Sequence, residues 1–230
     1  MRLGLLGGTF NPIHVGHLLL AECAREQFAL DRIWFIPAAT PPHKPVADLL
    51  DGRHRLALVR AAIHGHPKFV ASDLELTRGG CSYTIDTIQI LHARYPKDRL
   101  FFLMGSDMKR VPWYRPEDLR RLCTFVVAER PSVPLPRGAM DPSTRATALA
   151  VGPRSGFRPT GVTGGATPAC PSDREAGRGL PVGLHIQRLL MPRLEVSSSM
   201  IRARIRQGQS IRYLVPEAVV RYIARHRLYR

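Results

Sequence analysis

The run from Leu3 to Ala21 constrains this chain more than any other stretch. A short apolar segment, Leu3 to Leu6, leads into Gly7-Gly8-Thr9-Phe10-Asn11-Pro12-Ile13-His14-Val15-Gly16-His17 and then into Leu18-Leu19-Leu20-Ala21. The first part reads as a buried strand and the last as the opening of a helix. A strand, a glycine-rich turn and a helix, in that order, present backbone N–H groups and the positive end of a helix dipole to whatever lies above the strand. The turn is therefore an anion seat. His14 and His17 are three apart and share one face once the helix has begun. Imidazoles placed there donate hydrogen bonds to phosphoryl oxygens without the fixed charge of a lysine. The glycines fall as Gly4-x-x-Gly7-Gly8, which is not the G-x-G-x-x-G dinucleotide fingerprint, and no Gly-Lys-Ser/Thr occurs.

The alternation of strand and helix continues. The first helix carries Leu18, Leu19, Ala24 and Phe28 inward, with Glu22, Arg25 and Glu26 outward. Arg32 to Pro37 is an aromatic and β-branched strand stopped by proline. Strand, helix, strand is a right-handed crossover that gives a parallel pair. Asp51 caps a helix running to Ala62 or Ile63, with Leu56, Val59 and Ile63 inward, and Phe69 to Ala71 is a short strand. Thr84 is suited to cap a helix bearing Ile85, Ile88 and Leu91, whose N-terminus suits a carboxylate. Arg99 to Met104, Thr124 to Ala128 and Leu184 to Met191 read as further strands. Ser197-Ser198-Ser199 precedes a helix from Met200 to Arg206, in which Arg202, one turn in, can fork onto phosphate oxygens. Val215 to Tyr229 is a last helix with Pro216 in its first turn. These elements define an α/β protein with a mostly parallel sheet and helices on both faces.

At 230 residues and 44% hydrophobic content, one domain spanning 1–230 is the simplest count. An irregular stretch at about 132–183, rich in Pro, Gly, Ser and Thr, is expected to be an insertion. Met1 to Leu6 is too short for a signal-peptide core and no run approaches a membrane span, so a cytoplasmic protein without a membrane partner is expected. The four cysteines, Cys23, Cys81, Cys123 and Cys170, form no C-x-x-C pair. Neither zinc nor a disulfide framework is indicated, and Cys81 reads as a small buried side chain. The net charge of +16 raises polynucleotide binding. Half of that excess lies from Ile186 to Arg230, where ten arginines face Glu195 and Glu217, but only four of all the basic residues are lysines. With 7% aromatic residues there is no stacking platform. A solvated basic surface, with no nucleic-acid partner, is the expectation.

Several of these stretches resemble a known family. Gly8-x-Phe10-x-Pro12-x-His14-x-Gly16-His17 is similar to the H-x-G-H signature of the nucleotidyltransferase superfamily. In its fuller spelling it resembles the bacterial nicotinate-nucleotide adenylyltransferases. Val196-Ser197-Ser198-Ser199-Met200-Ile201-Arg202 resembles that family's I-S-S-T-x-I-R, and Ser82-Tyr83-Thr84-Ile85-Asp86-Thr87 its S-Y-T-x-D-T. Gly105-Ser106-Asp107 matches its G-x-D, Arg130-Pro131 its R-P, and Leu214-Val215-Pro216 its lead into the last helix.

The resemblance implies a Rossmann-like, doubly wound sheet and adenylyl transfer from ATP to nicotinate mononucleotide in NAD biosynthesis. His14, His17 and Arg202 would be catalytic. The ATP site would comprise Gly7, Gly8, Thr9, Phe10, His14, His17, Gly105, Asp107, Ser198, Ser199 and Arg202. Lys44, Tyr83, Thr84, Trp113 and Arg130 would bind substrate, with Thr84 near the nicotinate carboxylate and Trp113 stacked on the pyridine. Mg2+ would enter through the ATP phosphates, with no metal held by the protein. A homo-oligomer is compatible with the sequence. The alternatives are another H-x-G-H enzyme, such as a nicotinamide-mononucleotide or pantetheine-phosphate adenylyltransferase or a cytidylyltransferase, an aminoacyl-tRNA synthetase, or a basic nucleic-acid-binding module. The Tyr83-Thr84 and Trp113 features argue against the pantetheine-phosphate and cytidylyl enzymes.

Overall fold

The computed structural model describes residues 1–42, 48–106, 108, 113–129, 176–177, 185–192 and 194–230. Six strands form one sheet: β1 (Arg2–Gly8), β2 (Arg32–Pro37), β3 (Phe69–Ala71), β4 (Arg99–Gly105), β6 (Thr124–Glu129) and β8 (Ile186–Leu190). Their order across the sheet is β3-β2-β1-β4-β6-β8, and every pairing is parallel. Parallel neighbours need crossovers, which α1 (Val15–Gln27) and α2 (Gly52–Ile63) provide on the β3 side. On the other side α4 (Thr84–Arg94) and α5 (Pro116–Leu122) serve that role. The order reverses between β1 and β4, and the carboxyl ends of those two strands flank the crevice where such sheets bind ligands.

Each central strand is apolar on both faces, as a sheet covered on both sides requires. Leu6, Ile33, Phe35, Phe101, Leu103 and Val126 pack with α1, α2, α6 (Ser198–Arg206) and α7 (Glu217–Arg225). Leu3, Leu5, Phe102, Met104, Phe125 and Val127 pack with Ile85, Ile88 and Leu91 of α4 and Leu119 of α5. The doubly wound α/β arrangement expected from the sequence is therefore the one observed.

Local details differ from the sequence reading. In α1 the inward residues are Leu20, Ala21 and Ala24, while Leu18 and Leu19 are only partly covered. The helix starts at Val15, which rotates the buried stripe. Tyr83, not Thr84, takes the cap position of α4, and Thr84 is its first residue. The short helix α3 (Leu74–Arg78) was not anticipated, because five residues are too few to show a period. Cys81 is disulfide-bonded rather than a lone buried thiol. Spacing alone gave no sign of that pairing. The stretch expected as an irregular insertion lies outside the described residues except for Ala176–Gly177. These two form strand β7, antiparallel to β5 (Trp113–Tyr114).

Phe35 is fully buried, with its ring 5.2 Å from that of Phe69 and 6.1 Å from that of Phe10. Phe35→Ala is expected to cost about 3–5 kcal/mol, measured by urea unfolding monitored by circular dichroism.

Candidate active site

β1 ends at Gly8, and the chain then turns sharply before α1. Phe10 adopts φ 47°, a left-handed conformation rare for a bulky side chain, and the Asn11–Pro12 peptide bond is cis. Phe10 tolerates its left-handed φ because the surrounding side chains are over-determined. Phe10 is buried against Phe35, and its ring edge meets His17 at 5.1 Å. Asn11 is also buried. Its amide donates to the Asp48 carbonyl at 2.7 Å, and its side-chain oxygen accepts from Tyr229 Oη at 2.9 Å and from the Leu50 N–H at 3.4 Å.

His14 takes the cap position of α1 and His17 the third residue of the helix. The two imidazoles lie 3.7 Å apart between centroids, inclined by 32°. The His14 N–H donates to His17 Nδ1 at 3.2 Å. That nitrogen is therefore the acceptor, and the neutral ring carries its proton on Nε2. His14 is buried, which pushes its pKa down to about 4. It is thus neutral at physiological pH, because a low-dielectric slot disfavours the charged ring. Among the described residues its Nδ1 is buried without a hydrogen-bond partner.

The second anion corner comes from the far end of the chain. Ser197 caps α6, accepting from the Met200 N–H at 3.2 Å. Ser198 Oγ donates to the Pro12 carbonyl at 2.8 Å, and Arg202 Nη1 donates to the Asn11 carbonyl at 2.8 Å. Arg202 Nη2 lies 3.5 Å from Ser199 Oγ, and among the described residues its Nε is buried without a partner. The first N–H groups of α6 have no intrahelical acceptors.

Both corners line a single cleft of about 610 Å³. Its lining includes Gly7, Gly8, Thr9, Phe10, His14 and His17, with Ser198, Ser199 and Arg202 and with Gly105 at the end of β4. Tyr83, Thr84, Trp113 and Tyr114 line it as well, the two tyrosine rings 4.7 Å apart. Trp113 was expected to present its face to a pyridine. It lines the cleft, yet only 4% of it is exposed, and its indole packs edge-on against Phe102 and Phe125. Its Nε1 donates to the Met108 carbonyl. Lys44, Asp107 and Arg130 lie outside the described residues.

A family model for cytidylyltransferase-like proteins matches residues 5–204. A protein of Citrifermentans bemidjiense, described as a probable nicotinate-nucleotide adenylyltransferase, is 42% identical over all of this chain and 98% of its own length. One of the same description from Bacillus pumilus is 37% identical over 99% of this chain and 98% of its own. The chain belongs to the nicotinate-nucleotide adenylyltransferase family. The fold agrees with that of the Plasmodium falciparum nicotinic acid mononucleotide adenylyltransferase complexed with NaAD, at TM-score 0.66 and 18% identity, covering 99% of this chain and 97% of that one.

Three residues that shape this family site went unread in the sequence. Arg55, 1% exposed, donates to the carbonyls of Leu50, Thr9 and Ala39 and so ties both ends of the β2–α2 connection to the turn after β1. Burial lowers its pKa. Its spacing next to the Leu56 and Val59 stripe was the available signal. Glu75 is buried at the cleft wall, accepting from Thr87 Oγ1 at 2.7 Å, and burial raises its pKa. Tyr229 reaches the turn only through the tertiary fold.

Gly16 allows His14 its position. A methyl group at residue 16 would lie 3.1 Å from His14 Nδ1 and 3.2 Å from its Cε1. Gly16→Ala is therefore expected to lower kcat about 10- to 100-fold by displacing the imidazole, with stability unchanged or raised, as steady-state kinetics and thermal melting together would show. The depressed His14 pKa has a stability signature as well. The unfolded ring binds its proton more tightly, so this contribution is complete above the ordinary histidine value of 6.5 and is lost as pH falls toward about 4. Denaturant melts across that range should show a shallower pH dependence in His14→Gln than in the parent.

Proposed function

We infer that the chain catalyses adenylyl transfer from ATP to nicotinate mononucleotide, giving nicotinate adenine dinucleotide and pyrophosphate. The observation that carries this reading is the convergence of two anion corners, from the first and the last parts of the chain, on one cleft. One triphosphate spans both. The mononucleotide phosphate attacks the α-phosphorus in line, the bond to the bridging oxygen breaks, and pyrophosphate departs. Such a transfer needs no protein nucleophile; it needs positioning and charge stabilisation.

His17 donates from Nε2, and neutral His14 donates a hydrogen bond whose strength rises as charge builds on the phosphates. Arg202, with Nη1 anchored to the Asn11 carbonyl, offers its Nη2 N–H groups to the leaving pyrophosphate. Ser198 spends its hydroxyl on Pro12, so its contribution is the backbone N–H. The Thr84 end of α4, with Tyr83 and Tyr114 beside it, offers a seat for the nicotinate carboxylate. The donors that face the phosphates are imidazole, hydroxyl and guanidinium, which suit an anion rather than a resident cation. Mg2+ carried in on ATP would be held by phosphate oxygens and water and would offset phosphate charge there. The pantetheine-phosphate and cytidylyl alternatives would share the phosphate seats but would make no use of the Tyr83–Thr84 end.

The purified chain with ATP, Mg2+ and either nicotinate or nicotinamide mononucleotide should yield dinucleotide and pyrophosphate, with the acid preferred. His17→Ala should lower kcat by about 10²-fold or more, by analogy with loss of one preorganised donor. A change of only a few-fold would remove His17 from the mechanism.

A further inference from the structure

The last residues of the chain fold back under the phosphate turn. After α7, Arg227 and Tyr229 both take positive φ, at 50° and 65°, and Leu228 is buried between them. This reversal delivers the Tyr229 hydroxyl to the side-chain oxygen of Asn11 at 2.9 Å, across 218 residues of sequence. Burial pushes the Tyr229 phenol well above its usual range, and the nearby Arg202 and Arg55 guanidiniums oppose that shift. The hydroxyl is thus a neutral donor lying near both cations of the turn.

We propose that Tyr229 is a positioning residue for the triphosphate, acting through Asn11 on the aim of Arg202. Asn11 is the hub. Its side chain is fixed by Tyr229, Asp48 and Leu50, and its carbonyl is the anchor of Arg202 Nη1. Without the phenol, the side-chain oxygen keeps only the long 3.4 Å contact from the Leu50 N–H. A buried acceptor left so weakly satisfied rotates to seek another donor. The carbonyl of the same residue moves with it, and the guanidinium that it holds loses its fixed direction. The pyridine seat at Tyr83 and Thr84 is not part of this chain of contacts.

The proposal rests on the reading of the cleft as an ATP site, and the experiment separates the two. Tyr229→Phe deletes one oxygen and keeps the packed ring. It should raise KM for ATP and weaken ATP binding in calorimetry, lowering kcat/KM for ATP about tenfold, the worth of one buried hydrogen bond. KM for nicotinate mononucleotide should stay within about twofold and the melting temperature within a few degrees. In an Arg202→Lys background, where no guanidinium remains to be aimed, Y229F should have much less effect on ATP. Unchanged ATP parameters in Y229F, an equal loss for both substrates, or full additivity with R202K would overturn the proposal while leaving the activity intact. A parent protein that neither binds ATP nor forms dinucleotide would overturn the proposed function itself.

Discussion

Backbone carbonyls that leave the sheet without strand partners must find donors elsewhere, and here they find them on α6. Asn11 and Pro12 sit in the turn after β1, outside the strand ladder. Arg202 and Ser198 satisfy them from 191 and 186 residues away. The same two contacts that remove this backbone penalty close the cleft and fix one edge of the guanidinium. Arg55 does the equivalent from below, taking up the carbonyls of Thr9, Ala39 and Leu50. A cation buried without a carboxylate in hydrogen-bonding contact is costly, and three carbonyl acceptors offset that cost. The positive charge it retains lies against the turn after β1.

The electrostatics follow from burial as much as from residue type. Two histidines at a helix N-terminus could have been two cations. The two rings lie 3.7 Å apart, and His14 sits in a slot that holds its pKa at about 4, so that ring is neutral rather than a second cation. That arrangement suits a reaction in which charge develops late. A neutral donor binds the ground state less tightly than a fixed cation would and responds as the phosphates gain charge. Gly16 is part of this design because its missing side chain is the space that the His14 ring uses.

Much of the sheet was readable because its strands carry unbroken apolar runs. Arg32–Pro37 and Phe69–Ala71 match the expected bounds, and Asp51 caps α2 through the Arg53 N–H as its position suggested. Short elements were not readable. α3 and the two-residue pair β5 and β7 carry too few residues for any period, and their existence depends on what they pack against. The tryptophan at 113 illustrates a different limit. Its type and place suit a stacking platform, but Phe102 and Phe125 draw it inward, and the tyrosine pair at 83 and 114 forms the more open aromatic surface.

The sequence alone set the local geometry of the two turns, with glycines after a strand, histidines three apart and serines before an arginine, because neighbours in the chain supply it. It also indicated a mostly parallel sheet, through apolar strands alternating with helices and through right-handed crossovers. Only the tertiary structure decided that the seats face one cleft, that Tyr229 and Arg202 meet on Asn11, and that His14 is neutral. Those properties depend on distances between residues far apart in sequence and on exclusion of water, and neither is encoded in the local pattern of any one segment.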